Sequence, residues 1–432
     1  MLDKNSIRSL REKHLSPSLS LSYAEPLHII RGGGQYLYEA NGKQYLDAVN
    51  NIQHVGHCHP KVVEAAHSQN KRLNTNTRYL DEPIVNYAKA LTDKLPPDLD
   101  VCFFTNSGSE ANDLALRIAR HFTQSKETIV LDGAYHGNLS SLIEISPYKH
   151  GGPGGEGAPN FVNTISMPDS YRGKYRGEKS TIGYVQEVVE AIEKIHQKNK
   201  RVSAFITEAL MGCGGQLVLP EGFLKQSFEL VRNAGGLCIS DEVQIGFGRM
   251  GNHFWGFQTE DVIPDIVTMG KSMGNGHPLS GVVTTKKIAD NFNNGMEYFN
   301  SFGGNPVSCA VGQTVLDVIE EENLQDNALD VGTYLLDQLK VLKSKHEIIG
   351  DVRGRGLFIG VELIRDLESL TPATEEANIV VNQMKDSGIL ISSDGPDHNV
   401  LKIKPPIIFT RENADTLVVN LATIINELSK DR

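Results

Sequence analysis

The chain has 432 residues, 39% hydrophobic and 22% charged, enough for one large domain and a smaller one around a sizeable core. A net charge of −11 argues against the broad basic face that a nucleic-acid binder needs, yet leaves room for a local pocket that takes a small anion. Five widely spaced cysteines (Cys58, Cys102, Cys213, Cys238 and Cys309), with no CxxC pair, predict reduced, mostly buried thiols in a cytoplasmic protein and no metal site.

At the start of the chain, Asp3 and Glu12 are mixed with Lys4, Arg8 and Arg11, and the first thirty residues hold no long apolar run. Neither a secretory signal nor a membrane span is expected, and the mixed charge argues against a transit peptide. Residues 34–42 read as a short hairpin. A strand follows at 101–105, then a helix whose Ala111, Leu114, Ala115, Ile118, Ala119 and Phe122 keep one face apolar. Further strands are predicted at 128–131, 203–207, 237–240, 266–269 and 281–284, with a second helix pattern in Val185, Val188, Val189, Ile192 and Ile195. Such alternation predicts an α/β architecture: a mostly parallel central sheet covered on both faces, its ligands beyond the carboxyl ends of the strands. From Ala310 a long helix (Val315, Val318, Ile319) leads to strands near 357–363 and 400–403 and a last helix from Glu412. The expected division is a large domain over 51–310 and a smaller α+β domain over 311–432, joined by residues 1–50.

The chemistry concentrates at strand ends. The strand ending Ile239-Ser240 runs into Asp241, and the one ending Thr268-Met269 runs into Gly270-Lys271-Ser272. A lysine among small residues, with an acid at a nearby strand end, suits pyridoxal 5'-phosphate. The lysine joins the cofactor aldehyde, and the acid keeps the pyridine nitrogen protonated. In Thr105-Asn106-Ser107-Gly108-Ser109-Glu110 a strand ends and a helix opens. Ser107, Gly108 and Ser109 are therefore candidates for a phosphate cradle, although on this segment alone simple helix capping by Ser107 or Ser109 is the favoured explanation. Tyr135, with His136 beside it, either stacks on a planar heterocycle or covers the core edge. Glu208 ends another strand and is expected to pair with an arginine, to hydrogen-bond near the cofactor, or to stay solvated.

Taken in order, several segments resemble the class III (omega-amino acid) aminotransferases, fold-type I pyridoxal phosphate enzymes. They are Ser107 to Asn112, Tyr135-His136-Gly137, Asp241-Glu242-Val243-Gln244 with Gly246 to Arg249, Lys271, Gly303-Gly304-Asn305-Pro306 and Pro405-Pro406. The resemblance spans Gly32 to Leu428. It implies that Lys271 is the Schiff-base lysine and proton shuttle, and that Asp241 holds the pyridinium. It further implies that Gln244 lies near the cofactor's phenolic oxygen and that Tyr135 stacks on the ring. Ser301 stands where the family usually has a threonine reaching the cofactor phosphate of a neighbouring subunit. A homodimer or homotetramer with interfacial sites is implied, with no nucleic acid or membrane partner.

One departure bears on the reaction. Lys402 occupies the position, three before the paired prolines, where amino-transferring relatives often carry a carboxylate-binding arginine. A lysine offers a phosphate a point charge and lacks the bidentate fork of arginine. Segments 51–60, 73–79, Tyr171-Arg172-Gly173-Lys174-Tyr175-Arg176 and Leu401 to Pro406 are similar to the phospho-lyase branch of the family. Arg172, Lys174 and Arg176 then become candidates for a substrate phosphate, or else form a solvated basic loop. The expected reaction is elimination of phosphate and ammonia from a phosphorylated amine. An ω-aminotransferase is the alternative, and intact Lys271 and Asp241 argue against a non-catalytic protein on this fold.

Overall fold

The computed structural model describes residues 2–430. At its centre lies a seven-stranded sheet in the order 99–105, 280–285, 266–269, 237–241, 202–207, 127–131 and 162–165. The pairings among the last five of these strands are parallel. Strand 280–285 alone runs antiparallel to both neighbours. Its connection from strand 266–269 holds only a short 3-10 turn (Lys271–Gly274), too little chain for the helical crossover that a parallel return needs. The expected strands are present within a residue or two, and Val162–Ile165 is an additional edge strand.

The inner strands Glu127–Leu131, Val202–Thr207, Leu237–Asp241 and Ile266–Met269 are buried at every residue. Burial on both faces explains why their sequences are continuous apolar runs without alternation. On one face the helix Gly108–Thr123 packs through Ala111, Leu114, Ala115, Ile118 and Ala119. Helices Ser180–Gln197 and Phe223–Asn233 contribute Tyr184, Val188, Ile192, Phe223 and Phe228 to a second core.

Beside a two-stranded ribbon of Leu210–Met211 and Leu217–Val218, two four-stranded sheets complete the fold. Ile29–Gly33, Tyr36–Glu39 and Gln44–Asp47 form an antiparallel meander, joined in parallel by Ile389–Leu390. The first and last parts of the chain thus share one sheet. The other is antiparallel, in the order 349–355, 358–363, 400–403 and 392–394. Pro306–Glu321 is one continuous helix through residue 310.

One buried cation ties these parts together. Arg249 has no solvent exposure. Its Nη1 donates to the carbonyls of Leu357 (3.1 Å) and Pro405 (2.6 Å), and its Nη2 to His54 Nδ1 (3.2 Å). His54 Nε2 in turn donates to the Phe247 carbonyl at 2.6 Å. That tautomer suits a neutral ring, and burial with Arg249 beside it pulls the His54 pKa down to about 3. The thiols are less uniformly hidden than the sequence suggests. Cys238 and Cys309 are buried, Cys102 and Cys213 half-buried and Cys58 exposed, all of them free.

Replacing Arg249 leaves two buried carbonyls and His54 without their donor. Arg249→Ala is expected to lower unfolding stability by about 3 kcal/mol or more in urea titration. A loss below about 1 kcal/mol would show that these carbonyls find other donors.

Candidate active site

Asp241 closes its strand with its side chain almost wholly buried. A buried carboxylate is tolerated only when its lone pairs are filled. Here Oδ2 accepts from Asn112 Nδ2 and from His136 Nδ1, both at 2.8 Å, while Oδ1 accepts from the Val243 backbone at 3.1 Å. The carboxylate can only accept, so His136 carries its proton on Nδ1. Asn112 is locked in turn, because Thr268 Oγ1 donates to its Oδ1 at 2.6 Å and its Nδ2 also meets the His136 carbonyl. Four elements therefore aim one acid into a cavity of about 250 Å³, lined by Gly108, Ser109, Tyr135, Glu208, Val243, Gln244 and Lys271 among others.

Lys271 follows its strand with φ +38°, a strained value for a residue with a Cβ and one that places its side chain against the sheet end. Its amine has no hydrogen-bond or ion-pair partner among the described residues. Burial pulls the Lys271 pKa below the ordinary lysine range, Asp241, Glu208 and Cys213 oppose this, and Lys402 adds to it. Glu208 is buried, which rules out the solvated alternative, and it pairs with no arginine. Its carboxyl accepts from the Gly212 backbone at 3.2 Å. Burial, with Asp241 close by, pushes it up to about 7.

The far end of the cavity is the N-terminus of the Gly108–Thr123 helix. Ser107 turns away and caps, accepting from Glu110 N at 3.2 Å, so it does not line the cavity. Gly108 and Ser109 do, with their helix-start N–H groups free of intrahelical partners. Ser109 Oγ also accepts from Asn138 N at 3.0 Å, which draws the loop after Gly137 onto the helix start. Gly137 adopts φ +145°, and a Cβ there would strike Leu142 and Ser109. An anion cradle, an unpartnered lysine and a buried acid held by three donors fit pyridoxal phosphate at its phosphate, aldehyde and ring nitrogen respectively.

A second cavity of about 350 Å³ adjoins the first across Tyr135 and Tyr148, whose rings meet edge to face at 6.0 Å. Tyr148, Lys149, Cys213, Asp132 and Gly395 line it. Burial pushes the Cys213 thiol up to about 12, so it is no nucleophile. Lys402 lies on neither wall. Its ammonium pairs with Asp394 at 3.2 Å, close enough to Cys213, Tyr148 and Lys271 to influence their protonation.

Four further candidates lie away from both cavities. Arg172 is bound to Glu362 (2.6 Å) and Asp397 (2.8 Å), and Lys174 to Glu187 (2.7 Å). Arg176 bonds to the Gly173 carbonyl at 3.2 Å. All three lie off both cavities: carboxylates take up Arg172 and Lys174, while Arg176 is exposed on a backbone carbonyl. Ser301 is exposed and does not reach its own chain's cavity. Three residues to which sequence patterning assigns no role also belong here: Asn51, Asn112 and Lys404. Lys404 was detectable, because Lys402 and Lys404 are two apart on an extended segment and so share a face.

The folded chain holds the Glu208 proton up to about 7, whereas an unfolded carboxyl releases it near 4.5. A folded pKa that is raised for an acid means a stability contribution present at low pH and lost as pH rises through this window. Glu208→Gln should therefore stabilise the cofactor-free protein relative to wild type more at pH 8 than at pH 5, by roughly 2 kcal/mol in urea titration. Parallel pH profiles would rule this out.

The family profile for aminotransferase class-III matches residues 21–425. A Drosophila melanogaster protein named alanine–glyoxylate aminotransferase 2-like is 49% identical over the whole of this chain and 89% of its own. The ethanolamine-phosphate phospho-lyase homolog 1 of Caenorhabditis elegans is 40% identical, with 99% of this chain and 94% of that one aligned. Among solved structures, a phospholyase from Arthrobacter in complex with phosphoethanolamine superposes with a TM-score of 0.93 at 41% identity, covering 97% of this chain and 99% of that one. With the profile matching residues 21–425 and the acid, lysine and anion cradle gathered in one cavity, the chain belongs to the class III aminotransferase family of pyridoxal-phosphate-dependent enzymes.

Proposed function

We propose that this enzyme is a phospho-lyase that eliminates phosphate and ammonia from a phosphorylated amine such as phosphoethanolamine. The observation that carries this reading is the nature of the cations around Lys271. Among the described residues no arginine lines either cavity; the cations there are Lys149 on the outer cavity and Lys402, close enough to Lys271 to influence it. Lysines meet a phosphate well and a planar carboxylate poorly. The phosphoethanolamine-bound relative from Arthrobacter supports the same substrate class. An amine-to-keto-acid transfer is the second reading, favoured by the name of the 49% identical fly relative.

The bound cofactor supplies an aldehyde that captures the substrate amine and a ring that accepts the electron pair left when a proton departs. In this reading Asp241 would keep the ring nitrogen protonated, and Tyr135 would pack against the ring. Gly108 and Ser109 hold the cofactor phosphate, His136 orients Asp241, and Glu208 and Gln244 flank the ring. Lys271, freed by the arriving amine, takes the proton from the amine-bearing carbon. The C–O bond on the next carbon then breaks and its electron pair leaves with the phosphate, whose charge Lys402 stabilises. The released enamine adds water and yields acetaldehyde and ammonia.

We further propose a homodimer or larger assembly, in a reducing compartment such as the cytoplasm, which the five free thiols suit. Ser301 lies outside its own cavity, beside exposed Met296, Phe299 and Phe302. Arg78, which pairs with Glu297 and covers Phe299, brings exposed Tyr79 and Leu80 to this patch. A patch of that composition is suited to a second copy of the chain. Among the described residues no helix is long and apolar enough to cross a membrane.

The holoenzyme should release equal amounts of phosphate, acetaldehyde and ammonia from phosphoethanolamine with no keto acid present. Lys402→Met should raise KM for that substrate about tenfold or more, and Lys271→Ala should abolish turnover. No phosphate from phosphoethanolamine or phosphohydroxylysine, with amine transfer to pyruvate or glyoxylate, would establish the transaminase instead. Sedimentation should give a dimer or larger, and Leu80→Asp should shift it toward monomer while weakening cofactor retention. A monomeric wild-type holoenzyme would sink the interfacial role of Ser301.

A further inference from the structure

The inner cavity is bordered by an amide whose two ends do opposite things. Gln244 lines it together with Lys271 and Asp241. Turned one way, the side chain offers the cavity an acceptor; turned the other way, it offers two N–H donors. The surroundings decide which. Asn51 Nδ2 and Lys404 Nζ both donate to Gln244 Oε1, each at 3.0 Å. Gln244 Nε2 has no hydrogen-bond acceptor among the described residues and packs past Gly212, where a Cβ would come within 2.6 Å of it.

Lys404 is well placed to act as an anchor. Its side chain is completely buried, 4.0 Å over the Phe358 ring, and among the described residues Gln244 is its one hydrogen-bond partner. Its backbone N–H is tied to the Ala48 carbonyl at 2.8 Å, and Ile407 N to the His54 carbonyl at 2.8 Å. The segment carrying Lys404 is thus fastened to the same stretch of chain that supplies Asn51. Fully burying a long cationic side chain without a carboxylate is costly, so such a residue is retained only where its donor has a task.

We propose that Lys404 is a positioning residue. Together with Asn51 it holds the Gln244 amide with its oxygen toward the protein and its NH₂ toward the cavity, so that the group meeting Gln244 must be an acceptor. With the cofactor seated as proposed above, that acceptor is its ring oxygen, and a fixed donor there favours the oxygen's deprotonated form. The inference rests on cofactor placement and does not depend on whether the reaction is elimination or transfer. Burial, with Lys402 nearby, pulls the Lys404 pKa below its ordinary range, while Asp394, Glu208 and Cys213 oppose this. A buried amine donates to the amide oxygen in either charge state.

The test is a double-mutant cycle on substrate-free holoenzyme, following the pH midpoint of the cofactor's visible absorbance together with cofactor affinity. Gln244→Ala and Lys404→Met should each raise the midpoint by about one pH unit and weaken cofactor binding about tenfold, as loss of one charge-assisted hydrogen bond implies. The double variant should go no further than Gln244→Ala alone. A Lys404→Met midpoint equal to wild type would overturn the proposal. So would a Lys404→Met shift of equal size in the Gln244→Ala background, the mark of a simple charge effect on Lys271, Glu208 and Asp394. Should Lys404→Met fail to fold, Asn51→Ala removes the other donor, and an unchanged midpoint there overturns the arrangement equally. Because no substrate is present, the outcome is independent of whether phosphoethanolamine is turned over.

Discussion

The buried carboxylate of Asp241 is the constraint around which the site is built. An acid at the end of an inner strand is unstable unless donors converge on it. Those donors come from three other places in the chain: Asn112 on the helix that opens the anion cradle, His136 on the loop after strand 127–131, and the Val243 backbone. Thr268, on the strand that leads to Lys271, fixes Asn112. Satisfying one charge therefore sets the relative positions of the helix start, the Tyr135 loop and the lysine. The parallel sheet makes this affordable, because its carboxyl ends bring four loops to one edge.

A second, independent clamp fixes the opposite wall. Arg249 sits a few residues beyond Gln244 in the chain and grips the Pro405 carbonyl, immediately after Lys404. It also grips Leu357 and His54, so the small sheets and the N-terminal segment are drawn to the same point. The cavity is thus closed by residues distant in sequence. Asn51, Gln244 and Lys404 meet only because Arg249 and the backbone bonds from Lys404 and Ile407 hold their three segments together.

This division explains what the sequence could reveal. Asp241, Lys271, Glu208 and Tyr135 were legible because each follows a short apolar run, and a strand's end determines where the next side chain goes. Inner strands without alternation also gave away a sheet covered on both sides. Contacts that depend on distant partners were not legible. Arg172, Lys174 and Arg176 look like free cations in a loop, since nothing local announces that Glu362, Asp397 and Glu187 take up two of the three. Ser107 and Ser109 are near twins in sequence, yet one caps and the other lines the cavity, a difference of helix phase too fine for pattern reading. Lys404 stood in the open as part of a Lys-x-Lys pair, but its significance appears only when Gln244 is seen beneath it.

The charge balance near Lys271 bears on what the enzyme can bind. Lys271, Lys402 and Lys404 face Asp241, Glu208 and Asp394, so the formal charges of the side chains nearly cancel. A cofactor phosphate is met largely by helix N–H groups, which need no counter-charge from this set. A phosphorylated substrate brings a second anion with no such cradle of its own. Lys402 already shares its charge with Asp394, whose Oδ2 also accepts from Gln216 Nε2, so it accepts a new anion only by loosening that pair. A group held near 7, as Glu208 is, can answer by retaining its proton, which lowers the opposing negative charge without moving any backbone. An arginine at position 402 would resist such adjustment, since its fork locks onto one carboxylate. In the proposed elimination, Lys402 is the lysine able to pass between Asp394 and a substrate phosphate, whereas Lys404 stays fixed on Gln244.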